Sequence, residues 1–210
     1  MIIAIDGPAG AGKSTIARRI AQHFGIAHLD TGSLYRAVAL KALELGDPAD
    51  PALAERAAQA LDLSLLEDRH LRDEQVTAAS SVVAAVPGVR AALLDFQRGF
   101  AHGKGGAVLD GRDIGTVVCP DADAKLFLTA TAEARAQRRT RELQAGGGGA
   151  IYQRVLADMK ARDARDSVRQ AAPLVPADDA IVIDTSPLDA DAVFAAVLAA
   201  ITDKLAVIKR

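Results

Sequence analysis

The sequence predicts an α/β protein built on a five-stranded parallel sheet, and three observations carry that prediction. Short apolar runs at 2–6, 27–30, 107–110, 125–129 and 181–184 are separated by helix-length segments, the alternation expected of βαβ units. Residues Gly7 to Ser14 read GPAGAGKS, a complete GxxxxGK(S/T) phosphate-binding loop set between the first apolar run and an amphipathic helix. All five runs end in Asp or Thr, which puts polar side chains along the carboxyl edge where open α/β sheets bind ligands.

The helices follow from apolar residues recurring with a 3.6-residue period behind Asp, Ser or Thr, and are expected over 13–24, 34–45, 53–61, 89–100, 132–143, 151–167 and 189–205. Two stretches read as insertions into the sheet's frame. The first, about 31–100, is helical with a short hairpin near 63–71; the second, about 145–170, is polar and opens on Gly146-Gly147-Gly148-Gly149, either plain loop or the joint of a moving lid. The whole chain thus reads as one domain, with a core of 1–30, 101–144 and 171–210.

Bulk properties narrow the class. A 210-residue chain that is 50% hydrophobic buries a real core, and a net charge of −2 argues against a surface that binds nucleic acid through overall positive charge. One cysteine, Cys119, excludes an intrachain disulfide and a multi-cysteine zinc site, and the four histidines show no ligand spacing. The longest apolar stretch near the C-terminus, 192–201, is too short to span a bilayer, and the N-terminus enters the first strand directly. A cytoplasmic monomer is the expectation.

The phosphate loop implies a nucleoside triphosphate. Gly7, Gly10 and Gly12 let backbone N–H groups turn inward, Lys13 reaches β- and γ-phosphates, and the Ser14 hydroxyl suits Mg²⁺. Pro8, Ala9, Ala11 and Thr15 complete the ATP-binding segment. Asp110 ends the third strand, where a carboxylate orients Mg²⁺ or its water shell; Gly111, Arg112 and Asp113 follow, although an Asp-Gly pair also serves a plain β-turn.

Arg162, Arg165, Asp166 and Arg169 are spaced i, i+3, i+4, i+7 and share one helix face. Three guanidiniums on one stripe either form a solvated face eased by Asp163 and Asp166 or meet anions, and a nearby triphosphate site favours anions. Arg135, Arg138 and Arg139 form a second cluster. A further strand-end motif, LDTGSLYR, places Asp30 and Thr31 ahead of a helix presenting Arg36. Two facing anion sites suit phosphoryl transfer, which needs positioning and charge stabilisation rather than a nucleophilic triad.

The ordered set GPAGAGKST, LDTGSLYRA, ASSVVAAVPGVR, LDGRDIGTVVCPDADAKLFLTA, EARAQRR, RDARDSVR and APLVPADDAIVIDT resembles the bacterial cytidylate kinases, a nucleoside monophosphate kinase family, over nearly the whole chain. The resemblance implies the family's P-loop fold, with an acceptor-binding insertion and a mobile lid, and transfer of the ATP γ-phosphate to CMP or dCMP with Mg²⁺. It assigns Lys13 and Ser14 to ATP and metal, with Asp110 acting on the metal through water. Thr31 and Arg36 fall to the acceptor monophosphate region, and Ser81, Arg90 and Asp113 to the cytosine edge. Gly111, Arg112, Arg162, Asp166 and Arg169 fall to the acceptor's phosphate and ribose, and Arg138 and Arg165 to the donor phosphates. Lys13, Arg112, Arg162 and Arg165 are the implied catalytic set.

Cytosine offers an N4 donor and N3 and O2 acceptors, so a carboxylate beside a hydroxyl and a guanidinium complements it, whereas uracil O4 facing Asp113 is repelled. The span from Arg36 to Ser81 is short for the family, Gly88 stands where a bulkier residue is common, and the four-glycine run is unusual. Two other readings stay open: a phosphate-loop kinase for another nucleotide or a small metabolite such as shikimate, and a non-catalytic nucleotide-binding protein, for which no NKxD motif, repeat or coiled coil speaks.

Overall fold

In a computed structural model, which describes residues 1–147, 149–169 and 172–208 (residues 207 and 208 by backbone alone), five parallel strands form one sheet. They are β1 (Ile2–Asp6), β2 (Ala27–Asp30), β3 (Ala107–Gly111), β4 (Ala124–Thr129) and β5 (Ile181–Asp184), in the order β2-β3-β1-β4-β5. All five residues of β1 are buried because helices cover both faces of the sheet. Alternation along the strand divides them. Ile2 and Ala4 enter one core with Leu34, Val38 and Leu109, whereas Ile3 and Ile5 enter a second with Ile16, Ile20, Val197 and Ile201.

The second core is closed by α1 (Lys13–Phe24) and the last helix, α8 (Ala190–Ile208). The first is closed by α2 (Thr31–Leu45), α3 (Pro51–Gln59), α4 (Glu74–Val83) and α5 (Pro87–Ala101). Between β4 and β5 run α6 (Ala132–Ala145) and α7 (Tyr152–Val168), which pack on one another. Asp50 begins α3 by accepting from Ala52 and Leu53 N–H with Pro51 at the first helical position, a conventional start.

Two expectations change. The segment near 63–71 forms two short 3₁₀ turns, Leu63–Glu67 and Arg69–Arg72, rather than a hairpin. Asp62 and Asp68 each accept an N–H two residues on, a local bond that starts a turn and competes with a ladder. α4 was not foreseen: its Thr, Ser and Val are weak helix formers, and burial of Val76, Ala79 and Val83 against the first core supplies what propensity does not. Gly148 of the four-glycine run and Gln170 at the end of the expected lid lie outside the described residues.

Register brings the strand ends into line. Asp6 pairs with Gly111, and Asp30 with Asp110, so the phosphate loop, the segment after β3 and the start of α2 share one edge. No single helix among the described residues is long and apolar enough to cross a membrane; α4 and α5 pass such a test only as a pair bent by 97°.

Candidate active site

The phosphate loop leaves β1 at Gly7, whose φ of 144° and close approach to the strand exclude a side chain: a Cβ there would sit 2.0 Å from the Leu128 carbonyl oxygen. It enters α1 through Gly12 at φ 88°. Lys13 folds back and donates Nζ to the Pro8 carbonyl oxygen at 2.8 Å, closing the ring of Ala9, Gly10 and Ala11. Burial, then the Arg112 guanidinium, pushes its pKa down to about 7. A cation so disfavoured is primed for an anion.

Ser14 Oγ donates to Asp110 Oδ2 at 2.6 Å. The other Asp110 oxygen lies 2.8 Å from His28 Nε2 on β2, and Thr31 Oγ1 donates to the Asp110 carbonyl oxygen at 2.8 Å. A hydroxyl and a buried carboxylate side by side are hard oxygen ligands of the kind Mg²⁺ takes beside phosphate oxygens and water. Thr15 follows on the first turn of α1, on its exposed side.

Opposite this loop, arginines converge from three elements. Arg36 of α2 pairs with Asp30 at 2.8 Å, Arg112 Nε donates to Asp166 of α7 at 2.9 Å, and Arg169 Nε donates to the Asp166 carbonyl oxygen at 3.3 Å. Asp166 is buried, which alone raises its pKa, but Arg112, Arg169 and Arg162 together hold it below the usual carboxylate range. Burial, followed by Arg112, lowers Arg162 to about 10. Among the described residues, Arg36 Nε, Arg162 Nε and Arg169 Nη2 are buried without a hydrogen-bond partner. Three unsatisfied guanidinium nitrogens on arginines that cluster around Arg112 and Asp166 suit the oxygens of a phosphate group.

Beside them lies a cavity of about 170 Å³ lined by Tyr35, Arg90, Leu94, Gln97, Asp113 and Val117, among others. Arg90 pairs with Asp113 and stands over the Tyr35 ring at 5.5 Å. Asp113 starts a single π-helical turn, Ile114–Val118, closed by i→i+5 bonds from Val118 to Asp113 (3.1 Å) and from Cys119 to Ile114 (2.7 Å). Gly111, two residues before Asp113, is closely packed, since a Cβ there would lie 2.6 Å from Thr31 Oγ1.

Two residues expected on the donor phosphates are engaged elsewhere. Arg165 Nε donates to Ser81 Oγ of α4 at 3.2 Å. Arg138 gives its guanidinium to the carbonyl oxygens of Thr185, Ser186 and Leu188, and Thr185 Oγ1 reaches the Ala11 carbonyl oxygen at 3.3 Å, so Arg138 meets the phosphate loop through Thr185.

Three residues at this edge take part without having been expected as site residues. Arg135 donates Nη1 to the Ala9 carbonyl oxygen at 3.0 Å and makes a two-pronged pair with Asp163 of α7 at 3.1 and 2.6 Å; its membership of the arginine cluster after β4 was the available signal. His28 had none. Asp6 lay in view as the last residue before the loop, but its partners, the Ile114 and Gly115 N–H groups, are more than a hundred residues away.

Comparison with known proteins bears on this geometry. The family model described as cytidylate kinase matches residues 3–203. The chain is 61% identical over 207 residues to a protein named cytidylate kinase from Paramagnetospirillum magneticum, covering 97% of this chain and 98% of that one. A cytidylate kinase from Xanthobacter autotrophicus is 58% identical over 199 residues, covering 95% and 96%. Among solved structures, an uncharacterized protein from Eubacterium ventriosum superimposes with a TM-score of 0.55 at 17% identity, covering 96% and 98%, a likeness of fold.

Proposed function

The chain belongs to the cytidylate kinase family, and we propose on that footing that it transfers the γ-phosphate of ATP directly to CMP and dCMP, giving ADP and CDP or dCDP. The observation that carries the reading is the pairing of a phosphate loop with a facing set of buried, unsatisfied guanidinium nitrogens beside a carboxylate-lined cavity.

In this reading the loop N–H groups of Gly7 to Ser14 cradle the donor phosphates, with Thr15 on the same turn, and Lys13 acts on the migrating group. Ser14, and Asp110 through water, hold Mg²⁺, which neutralises charge on the donor's phosphate oxygens when bound. Thr31, Arg36, Arg112, Arg162 and Arg169 bind the acceptor's phosphate and ribose, and Asp166 holds Arg112 in place. Arg162 and Arg165 move with α7, so that closing the 145–170 segment over the 31–100 insertion brings their charge to the phosphates and excludes water. Asp113, Arg90 and Ser81 read the cytosine edge. Arg138 serves the donor side through Thr185. The protein acts as a cytoplasmic monomer with ATP and the acceptor as its only partners.

Purified protein with ATP and Mg²⁺, offered CMP, dCMP, UMP, AMP and shikimate in an ADP-release assay, tests the assignment. Greatest turnover with CMP or dCMP is expected. Faster reaction with UMP, AMP or shikimate would overturn it, and no turnover with any acceptor would point to a nucleotide-binding role without catalysis.

A further inference from the structure

Asp6 ends β1 and precedes the phosphate loop, yet its carboxylate turns away from that loop. Oδ1 accepts the Ile114 N–H at 2.8 Å and Oδ2 the Gly115 N–H at 2.7 Å. Among the described residues, both N–H groups donating to it belong to the π-helical turn and none to the loop. The side chain is buried, at 4% exposure. Burial is the largest influence on it and pushes its pKa up to about 6, against the two N–H bonds and Lys13, which favour the charged form. A buried carboxylate that costs solvation at this point has to supply something an apolar residue does not. What it supplies is a fixed pair of acceptors for the first N–H groups of a turn whose i→i+5 ring leaves them free.

That turn begins at Asp113, one residue after Arg112. Its position fixes where both side chains leave the backbone: Arg112 toward Asp166, and Asp113 toward Arg90 and the cavity. We infer that Asp6 is a positioning residue for acceptor recognition, its two bonds to Ile114 and Gly115 holding Arg112 and Asp113 in register with the acceptor. The inference rests on the reading of that cavity as the cytosine site. It also explains the close fit of Gly115, where an added Cβ would stand 3.2 Å from Lys125 Cδ and 3.4 Å from Asp6 Oδ2.

The test compares wild type, Asp6→Asn and Gly115→Ala by their KM values for ATP, CMP and UMP, after circular dichroism has shown which variants fold. An asparagine keeps one acceptor and turns an amide NH₂ toward the second N–H, so the turn loses one bond and gains a clash of donors. Asp6→Asn should raise the KM for CMP about tenfold and lower the preference for CMP over UMP several-fold, with the KM for ATP changed by less than about twofold. Gly115→Ala presses on the Lys125 stem at 3.2 Å and brings a methyl into contact with Asp6 Oδ2 at 3.4 Å, shifting the turn at the Asp6 bond, and should move the same quantities in the same direction by less. It carries the test alone if Asp6→Asn does not fold. A general loss of structure would weaken both substrates alike. Equal changes for ATP and CMP, or none in a folded variant, would overturn the role of Asp6. A wild type that does not prefer CMP would instead overturn the functional reading beneath it.

Discussion

Ser14 Oγ and Asp110 Oδ2 lie 2.6 Å apart, joining the first turn of α1 to the end of β3, while His28 occupies the carboxylate's other oxygen at 2.8 Å. The contact orients an anionic oxygen beside the place where a triphosphate enters. Asp110→Asn keeps the shape and removes the charge. The Mg²⁺ concentration giving half-maximal turnover at fixed ATP should rise about tenfold. A titration unchanged from wild type would separate Asp110 from the metal.

Lys13 predicts a proton taken up on binding. Its pKa is about 7 in the ligand-free protein against 10.5 in an unfolded chain, so between those values the unfolded state holds more protons. From this group, the stability of the ligand-free protein therefore rises as pH climbs through that window. Donor phosphates restore the ammonium, and ATP binding at pH 8 should take up about one proton, read from calorimetric heats in buffers of different ionisation enthalpy. Lys13→Ala should abolish the uptake and slow transfer by about a thousandfold or more.

In the proposed reading Asp113 offers N4 of cytosine an acceptor and repels O4 of uracil. Asp113→Asn offers either base an amide and also leaves Arg90 without its ion-pair partner. The ratio of kcat/KM for CMP over UMP should fall by about tenfold or more. An unchanged ratio would move base recognition to other residues.

Arg162 carries a buried, unpartnered Nε among like charges. In the ligand-free protein this is a liability, which in the proposed reading an acceptor phosphate relieves. Arg162→Gln should leave the ligand-free melting temperature equal or higher, while the stabilisation produced by saturating CMP shrinks and the KM for CMP rises by about a hundredfold. Loss of stability in the ligand-free variant would show that Arg162 supports the fold rather than the ligand.

The legible parts of this protein are those where a residue's consequence is local. β1, β2 and β5 match the expected 2–6, 27–30 and 181–184: β1 is buried at all five residues and reads as a continuous apolar run, while β2 and β5 are partly exposed edge strands that each end on an aspartate, Asp30 and Asp184. α4 escaped because its propensity is poor and only packing makes it helical. The 3₁₀ turns at 63–72 replaced a hairpin because Asp62 and Asp68 satisfy N–H groups locally. The stripe Arg162, Arg165, Asp166 and Arg169 was visible from spacing, but spacing could not tell that Arg165 turns to Ser81 while Arg112 takes Asp166.

From the chain's own order of residues come the sheet, the phosphate loop with Lys13 and Ser14, and the family resemblance, since each depends on residues within one turn or strand of one another. Which side chains meet was decided by tertiary structure alone. Parallel register sets Asp6 beside Gly111 and Asp30 beside Asp110, and so brings His28 to Asp110 and Asp6 to the π turn across about eighty and a hundred residues. Burial then makes those meetings consequential, because a carboxylate or guanidinium removed from water must find a partner in the protein or in its ligand.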